Sequence, residues 1–557
     1  MADASALLSA GSAGTPAPDS QGSPEQIARI QKSFNEYEQY VASAQAYLAD
    51  GELAAAAAHC SIAAHIATQN HAGIFWSPRL EKVLNDIGRR IQPAGPPRAR
   101  PTEFRRILQV CTQVSAVGGH TKMLCQWVKA DTTRQHSLVL TQHRGPTPDF
   151  VHAVFEASGG RKVEQLNHSP SGQLDWARRL REIARDYDLV ILHTHCEDII
   201  PLLAFADTEK HPPVLVLNHA DHIFWYGSAV CHLSINLRDA AQDLAITRRS
   251  IAPERNILMP TLAESIVRTR SREEAKRELG IDPDTILMVS AARRSKYRTM
   301  HGTTFADIHA SVLENNPNAT LLVVGAGEPE DWAPVRDRVG GRLKSLPEQP
   351  NPKIYFEAAD IYVDSYPFVS STSLMEAAGY GLPLVTIFTA PHAARIFGIN
   401  HVALVGNTRQ AASFDEYRAM LTELIQNPAL RERLGESARI AVRRDHNLPG
   451  WKTWLEAVYA RALELPTLDN RAMLQEIERP SFGEPDCRHQ DIFGGTWPTS
   501  RVVMGYMSML PFRQHMAHWR ALHAQGAFRS KGEAVSNLLP EWLKRRVKDG
   551  ILKLPEE

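Results

Sequence analysis

Residues 366–385 read YPFVSSTSLMEAAGYGLPLV and place a run of hydroxyl side chains between an aromatic-proline turn and an apolar helical pattern. The hydroxyl residues are Ser370, Ser371, Thr372 and Ser373. Such residues favour the start of a helix because their side-chain oxygens accept hydrogen bonds from its first backbone N–H groups. Those N–H groups and the helix dipole also attract an anion that lies in front of them. The stretch therefore predicts a helix start that is either a plain cap or an anion-binding turn.

Apolar strand patterns alternate with helical patterns on both sides of this stretch. Continuous Val, Ile and Leu runs between helices are typical of parallel sheets that are covered on both faces. In the first unit, residues 103–258, the runs are RRILQVCT, HSLVLTQ, DLVILHTH and PVLVLNHAD. In the second unit, residues 259–450, they are TILMVSAA, ATLLVVGAG, ADIYVDSYP and LPLVTIF. The sequence predicts an α/β fold with two Rossmann-like domains that face a ligand-binding cleft.

The two ends of the chain differ from this α/β pattern. Residues 1–23 are mostly Ala, Ser, Gly and Pro, a composition that predicts disorder. Apolar residues at helical spacing predict an accessory helical domain over residues 24–92. Residues 451–557 begin with a helix and continue as an extension rich in Trp, Met, His and Arg. A structural role, a protein partner and a peripheral membrane surface are all open for these segments.

Composition narrows the function classes. The 62 Lys and Arg residues balance 62 Asp and Glu residues, so the net charge does not favour a nucleic-acid partner. The 6 cysteines show no Cys-x-x-Cys pair, which is more typical of a reducing compartment than of a disulfide scaffold. No apolar run approaches the roughly 20 residues of a membrane span, and the N-terminus lacks the basic and apolar regions of a signal peptide. We therefore expect a cytoplasmic protein.

Several ordered segments resemble the GT-B glycosyltransferases, and the retaining family 4 is the most similar. In the second half they are REEAKRELGIDPDTILMVSAAR (272–293), SLMEAAGYGLPLV (373–385) and the helical segment over residues 427–463. In the first half they are VSAVGGHTK (114–122), DLVILHTH (188–195) and PVLVLNHAD (213–221). The resemblance spans about residues 105–465. It implies transfer of a hexose-type sugar from a nucleotide diphosphate sugar to an acceptor hydroxyl of a polysaccharide, a lipid or a small molecule.

The loop SAARRSKYR, residues 290–298, is the predicted partner of the hydroxyl-rich turn. A departing diphosphate must be neutralised, and a helix N-terminus with a few cations does this without a metal ion. The resemblance implies that Arg293 and Lys296 grip the phosphates, with Arg298 as the alternative to Lys296. A solvated basic loop is the other interpretation of this cluster. We predict no metal site and no cofactor, since the nucleotide sugar is itself the donor substrate.

Further donor contacts follow from the same resemblance. It implies that the turn at Ser370 faces the diphosphate and that Glu376, on the helix that follows, accepts from both ribose hydroxyls. Gly325, in a glycine-rich turn after a buried strand, is expected near the nucleobase, although a simple tight turn explains it as well. Gly118 and Gly119 let the backbone approach the donor closely.

Histidines at strand ends mark the predicted acceptor side. His195 and His219 end neighbouring strands, and His120 and His222 lie on adjacent loops. The resemblance matches His219 to an acceptor-side histidine, which takes the acceptor proton if the reaction inverts configuration. If the reaction retains configuration, the leaving phosphate takes that proton and His219 only binds or orients. A structural role is the alternative for these histidines.

One position departs from the family 4 pattern. That family carries a second glutamate, upstream of the one that Glu376 matches, which contacts the transferred sugar, and here Phe368 stands at that position. Asp364, slightly upstream, is the carboxylate that we predict to take a catalytic role instead. An Asp-containing strand, a proline and a Thr-containing helix start together resemble the inverting family 41. Protein O- or N-glycosylation and a non-catalytic GT-B scaffold are therefore the alternative functions.

Overall fold

The computed structural model describes residues 21–91, 96–116, 119–160, 164–169, 171–263, 265–494, 497–539 and 543. The first described helices are α1 (Pro24–Ala49), α2 (Leu53–Asn70) and α3 (Pro78–Arg90), which pack against one another. Ser23 begins α1 through a capping box with Gln26. Of the segment predicted to be disordered, residues 1–20 lie outside the described residues, whereas the backbone N–H of Gly22 donates to the carbonyl of Phe482.

The first Rossmann-like domain is built on a parallel sheet with the strand order β3-β2-β1-β4-β5-β6-β7. Its strands are β1 (Arg106–Cys111), β2 (Gln135–Leu140), β3 (Glu164–Gln165), β4 (Leu189–His193), β5 (Val214–Asn218), β6 (Leu233–Asn236) and β7 (Asn256–Leu258). Its helices are α4 (Gly119–Ala130), α5 (Asp149–Ala157), α6 (Gln173–Ala184), α7 (Ile200–Ala204) and α8 (Asp239–Arg248). Every residue of β4 and β5 is buried, as expected for Val, Ile and Leu runs covered on both faces.

The second Rossmann-like domain repeats this topology with the strand order β10-β9-β8-β11-β12-β13. Its strands are β8 (Ile286–Ala291), β9 (Ala319–Val324), β10 (Leu343–Leu346), β11 (Ile361–Val363), β12 (Leu384–Ile387) and β13 (Thr408–Ala411). Its helices are α9 (Arg272–Glu278), α10 (Phe305–Asn315), α11 (Ala333–Arg338), α12 (Lys353–Ala358), α13 (Ser371–Gly379), α14 (Phe414–Gln426) and α15 (Pro428–His446). In both sheets the order reverses beside the first strand, which is the Rossmann pattern and places ligands at the carboxyl ends of the strands.

Helix α16 (Gly450–Glu464) returns from the second domain and packs on the first sheet. Its residues Trp451, Leu455 and Val458 share a hydrophobic core with Leu189 and Leu215. Two Rossmann-like domains in one chain, each with an all-parallel sheet, make the GT-B fold. The predicted fold class is confirmed.

The C-terminal extension also packs on the rest of the molecule. Its helices are α17 (Asp486–Phe493), α18 (Thr499–Tyr506), α19 (Phe512–Ala524) and α20 (Lys531–Ser536). Val502 and Met507 share one core with Ile62 of α2 and Leu192 of β4. The helical domain, the first Rossmann-like domain and the extension therefore form one packed body.

The cysteines are buried and form no disulfide: Cys60, Cys111, Cys125, Cys196, Cys231 and Cys487. Burial raises the pKa of Cys125 to about 11 and that of Cys487 to about 12. Within the described ranges, every helix is too short or too polar to traverse a bilayer.

Candidate active site

The hydroxyl-rich turn follows β11 and begins helix α13, as the sequence predicts. Ser370 precedes the helix and has a non-helical ψ of 71°. The carboxyl group of Asp364 accepts from the backbone N–H of Ser370 at 3.0 Å and from that of Ser365 at 2.8 Å. The hydroxyl of Ser370 donates to that of Ser373 at 3.1 Å. Because the first N–H groups of a helix have no intrahelical acceptor, those that follow Ser370 point into the space in front of α13.

Lys296 ends a short 3₁₀ turn, Arg294–Lys296, that follows strand β8. Its ammonium group donates to the carbonyl oxygen of Val369 at 3.0 Å and to the hydroxyl of Ser370 at 3.4 Å. The same nitrogen lies 4.7 Å from the centre of the Phe368 ring. Burial lowers the pKa of Lys296. In the part of the chain that the structure describes, its hydrogen-bond acceptors are neutral, so a half-buried cation stands beside a helix N-terminus.

The other two predicted phosphate ligands make different contacts. A guanidinium nitrogen of Arg293 lies 4.0 Å from the carboxylate of Glu348, and 67% of each side chain is exposed. Arg298 extends to the C-terminal extension, where a β-carbon built on Gly494 would fall 1.2 Å from its guanidinium. The structure thus brings Lys296, but not Arg293 or Arg298, onto the hydroxyl-rich turn.

Asp364, the predicted catalytic carboxylate, is buried behind the turn. Burial raises its pKa to about 6, although the N–H groups of Ser370 and Ser365 and the charge of Lys296 favour its ionised form. Its second oxygen lies 3.4 Å from the hydroxyl of Thr386. These contacts hold the turn in place, so they support a positioning role for Asp364.

The first domain faces this turn through the loop after β5. Arg238 forms a two-point ion pair with Asp221, with both N···O distances at 2.6 Å. Arg238 also donates to the carbonyl of Gly398 at 3.0 Å, which ties the first domain to the second. The ring centres of His222 and Phe368 are 5.6 Å apart. The hydroxyl-rich turn therefore lies between the two domains.

Histidines gather at the carboxyl ends of the first sheet's strands. The ring centres of His120 and His219 are 4.4 Å apart, and those of His120 and His193 are 6.0 Å apart. Nδ1 of His219 lies 3.2 Å from the carbonyl oxygen of Leu217, so Nδ1 carries the proton and Nε2 keeps its lone pair. Burial lowers the pKa of His219 to about 4, and burial next to other histidines lowers that of His120 well below its usual value. Both imidazoles are therefore neutral at physiological pH.

Two further predicted residues lie near this cluster, His195 for the acceptor and Gly119 for the donor. The backbone N–H of His195 donates to the hydroxyl of Thr112 at 2.8 Å. Gly119 is the exposed first residue of α4, and Gly118 lies outside the described residues. Across the described ranges, no group of three His, Cys, Asp or Glu side chains is arranged to hold a metal ion.

Two donor-side candidates lie on the second domain. Glu376 is half-buried in the second turn of α13. Gly325 has a φ of +99°, and a β-carbon there would fall 2.3 Å from the carbonyl oxygen of Ala292. The exits of β8 and β9 therefore approach each other so closely that this position needs glycine.

Sequence reasoning missed a buried polar chain beneath the histidines. Nε2 of His193 lies 2.7 Å from the amide oxygen of Gln109, and the amide nitrogen of Gln109 lies 3.0 Å from Nδ1 of His136. Nε2 of His136 lies 3.1 Å from the carboxylate of Asp131, and the hydroxyl of Tyr459 on α16 donates to the same carboxylate at 2.8 Å. Because an amide oxygen accepts and an amide nitrogen donates, this chain fixes the tautomers of both histidines. No local pattern signals it, since its members come from three strands, the loop after α4 and the distant helix α16.

Comparison with known proteins gives structural likeness alone. No family model matches the chain, and no curated protein matches it. Anabaena HepE, solved with UDP and glucose, is 14% identical with a TM-score of 0.47, covering 64% of this chain and 99% of that one. An O-GlcNAc transferase variant of Thermobaculum terrenum is 16% identical with a TM-score of 0.46, covering 78% and 84%. A glycosyltransferase of Rickettsia africae is 12% identical with a TM-score of 0.47, covering 65% and 99%.

Proposed function

We propose that this protein is a glycosyltransferase that moves a hexose-type sugar from a nucleotide diphosphate sugar to an acceptor hydroxyl. The observation that carries the proposal is Lys296, a half-buried cation that contacts the start of α13 between two Rossmann-like domains. A helix N-terminus attracts phosphate, and a cation beside it adds a charge-assisted contact. Both stand at the carboxyl ends of parallel strands, where open α/β sheets bind their ligands.

The chemistry at this site is the stabilisation of a leaving group. As the bond between the sugar and the diphosphate breaks, negative charge grows on the phosphate oxygen. The N–H groups that begin α13 and the ammonium group of Lys296 face that oxygen and are already in place. A bound diphosphate also raises the pKa of Lys296 again, because a nearby anion favours the ammonium form.

In this proposal the ribose of the donor lies beside α13, and its nucleobase lies near the loop that follows β9. Glu376, on α13, accepts from the two ribose hydroxyls, and Gly325 lies near the nucleobase. Arg293 is exposed and only loosely paired with Glu348, so its side chain is free to turn toward a phosphate. Arg298 would have to leave Gly494 to do the same.

The acceptor binds on the first-domain side, next to His120, His195, His219 and His222. Nε2 of His219 is a hydrogen-bond acceptor that can orient a hydroxyl group. A pKa of about 4 makes His219 a weak base. A general base works best when its pKa lies near the working pH. We therefore favour retaining transfer, in which the leaving phosphate takes the proton, and analysis of the product anomer by NMR tests this choice.

A non-catalytic nucleotide-sugar-binding scaffold is the second candidate function. The observation that favours it is that Asp364 makes contacts that hold a turn. Such a protein binds the donor without turning it over. Protein O- or N-glycosylation of the inverting family 41 type is the third candidate, and it differs from the first in the acceptor and in the anomeric configuration of the product. Turnover assays with sugar, lipid and peptide acceptors separate these cases.

The first experiment measures donor binding. Isothermal titration with UDP, GDP, ADP and dTDP identifies the nucleotide, and Lys296→Ala should weaken its binding by about 1–3 kcal/mol, the loss expected for a charge-assisted contact. Lys344→Ala is the matched control, because Lys344 is an exposed lysine on the far strand β10. Equal affinity in wild type and Lys296→Ala would contradict the assignment of the phosphate site.

We also propose that transfer needs no divalent cation, because the α13 amides and Lys296 supply the positive charge. Turnover in the presence of EDTA should equal turnover in its absence. Full loss of turnover with EDTA, restored by Mg²⁺ or Mn²⁺, would contradict this part of the proposal.

A further inference from the structure

Phe493, the last residue of α17, brings the C-terminal extension into the cleft. Its ring stacks on His222 of the first domain, with ring centres 4.4 Å apart and 9° between the planes. The same ring meets Phe368 of the second domain edge-on, at 4.4 Å and 66°. Three distant parts of the chain therefore build one group of rings, and we call His222, Phe368 and Phe493 the cleft aromatic cluster.

The cleft aromatic cluster adjoins the proposed phosphate site. The ammonium nitrogen of Lys296 lies 4.7 Å from the centre of the Phe368 ring. In a nucleotide diphosphate sugar the sugar is bonded directly to the second phosphate. A cation that holds this phosphate therefore has the sugar as its immediate neighbour.

Phe493 is held firmly but is not fully covered. His489, one turn earlier, donates from Nε2 to the carbonyl oxygen of His222 at 2.9 Å. The adjacent Ile492 is buried, with 5% of its surface exposed, in a core with Phe397. Phe493 itself is half-buried, as are the other two rings of the cluster. Ile492 thus anchors the end of α17. The Phe493 ring also lies 5.0 Å from the ring of His489 and 5.8 Å from that of Phe397, and it stays partly exposed beside His222 and Phe368.

We propose that the cleft aromatic cluster is the wall against which the transferred sugar lies, and that Phe493 is a specificity-determining residue of the donor site. This inference rests on the proposed function. One face of a pyranose ring presents C–H groups, and an aromatic side chain covers such a face without leaving hydrogen-bonding groups unsatisfied. The extension is therefore part of the donor site, and the ligand class is a pyranosyl nucleotide.

The test compares a bare nucleotide with its sugar derivative in the full-length protein. The nucleotide is whichever of UDP, GDP, ADP and dTDP binds wild type most tightly, and its glucose derivative is the second ligand. In Phe493→Ala the Kd of the sugar derivative should rise about threefold to tenfold, while the Kd of the bare nucleotide stays unchanged. Phe493→Tyr, which keeps the ring, should restore the wild-type value.

Two controls separate contact with the sugar from a packing role. Phe493→Leu keeps an apolar side chain and is used if Phe493→Ala does not fold. Ile492→Ala removes packing beside the cluster, so it should lower the melting temperature without changing the ratio of the two Kd values. A Phe493→Ala protein that binds both ligands as wild type does, or loses both equally, overturns the inference and leaves the proposed function standing. A wild-type protein that binds neither the nucleotides nor their sugar derivatives overturns both.

Discussion

At the residue scale, Asp364 has a buried carboxyl group, and burial disfavours its ionised form. Replacing it with Asn keeps an oxygen that can accept from the N–H groups of Ser365 and Ser370, and it removes the charge. Because burial raises the folded pKa to about 6, the folded protein binds a proton at Asp364 more tightly than the unfolded chain does. Protonation of Asp364 therefore stabilises the fold in acid, and this stabilisation is lost as the pH rises from about 4 to about 6.

Asp364→Asn should therefore be more stable than wild type at pH 8 by about 2 kcal/mol, and this advantage should shrink at pH 5. Urea unfolding at the two pH values measures the difference. Turnover adds a second readout, since a positioning residue tolerates this change whereas a catalytic carboxylate does not. A folded Asp364→Asn protein with no turnover would restore the catalytic role that the sequence predicts.

Single residues also show which parts of the candidate site could be predicted from the sequence. The position of Lys296 was predictable, because a residue shortly after a buried parallel strand lies at the ligand-binding edge of its sheet. The directions of Arg293 and Arg298 were not, because they depend on Glu348 and Gly494, which no local pattern links to them.

At the element scale, α17 is fixed by a buried ion pair at its first residue. Asp486 contacts Nε2 of His71 at 2.9 Å and the guanidinium of Arg248 at 2.7 Å, and its side chain is 0% exposed. Burial on its own raises the pKa of Asp486, but the charge of Arg248 and the hydrogen bond from His71 lower it below its usual value. This stabilisation is present at neutral pH and is lost in acid, as the pH falls through the lowered pKa.

Asp486→Asn should cost about 3 kcal/mol of unfolding free energy, because it leaves Arg248 facing a neutral group in a buried site. Asp491→Asn is the control on the same helix. Asp491 pairs with Arg29, whose side chain is 35% exposed, so its loss should cost less than about 1 kcal/mol. Urea unfolding of both variants checks the ranking, and equal costs would contradict it.

The strands of the two sheets were predictable from apolar runs, but their limits were not. The run ADIYVDSYP predicts a strand over residues 359–367, whereas β11 spans Ile361–Val363. The strand ends early because Asp364 accepts from the N–H of Ser365 and turns the chain toward α13. The same contact that shortens β11 shapes the site.

At the scale of the whole molecule, the N-terminal helices are part of the first domain's core. Tyr37 and Ile66 lie in the same buried cluster as Val110 and Val190 of the first sheet. A helical accessory domain was predictable from spacing, but its shared core was not, because periodicity shows which face is apolar and not what covers it.

A chain that begins at residue 96 should therefore fail to fold, since it exposes one face of the first sheet. A chain that begins at residue 21 keeps every described contact and serves as the control. Soluble yield and size-exclusion chromatography measure the outcome. A monomeric protein from the shorter chain that unfolds cooperatively would contradict this prediction.

The buried cysteines give the molecule a set of natural reporters. They are spread over α2, β1, α4, the loops after β4 and before β6, and α17, while residues 232–486 contain no cysteine. In the native protein these thiols are buried and protonated, so a maleimide can react with each one only when the structure around it opens locally. The labelling rate of each cysteine therefore reports the rate of that local opening. Mass spectrometry of the labelled peptides would then measure the rates of local opening in the first half of the chain and in α17 separately. The second Rossmann-like domain contains no cysteine and would not contribute to the signal.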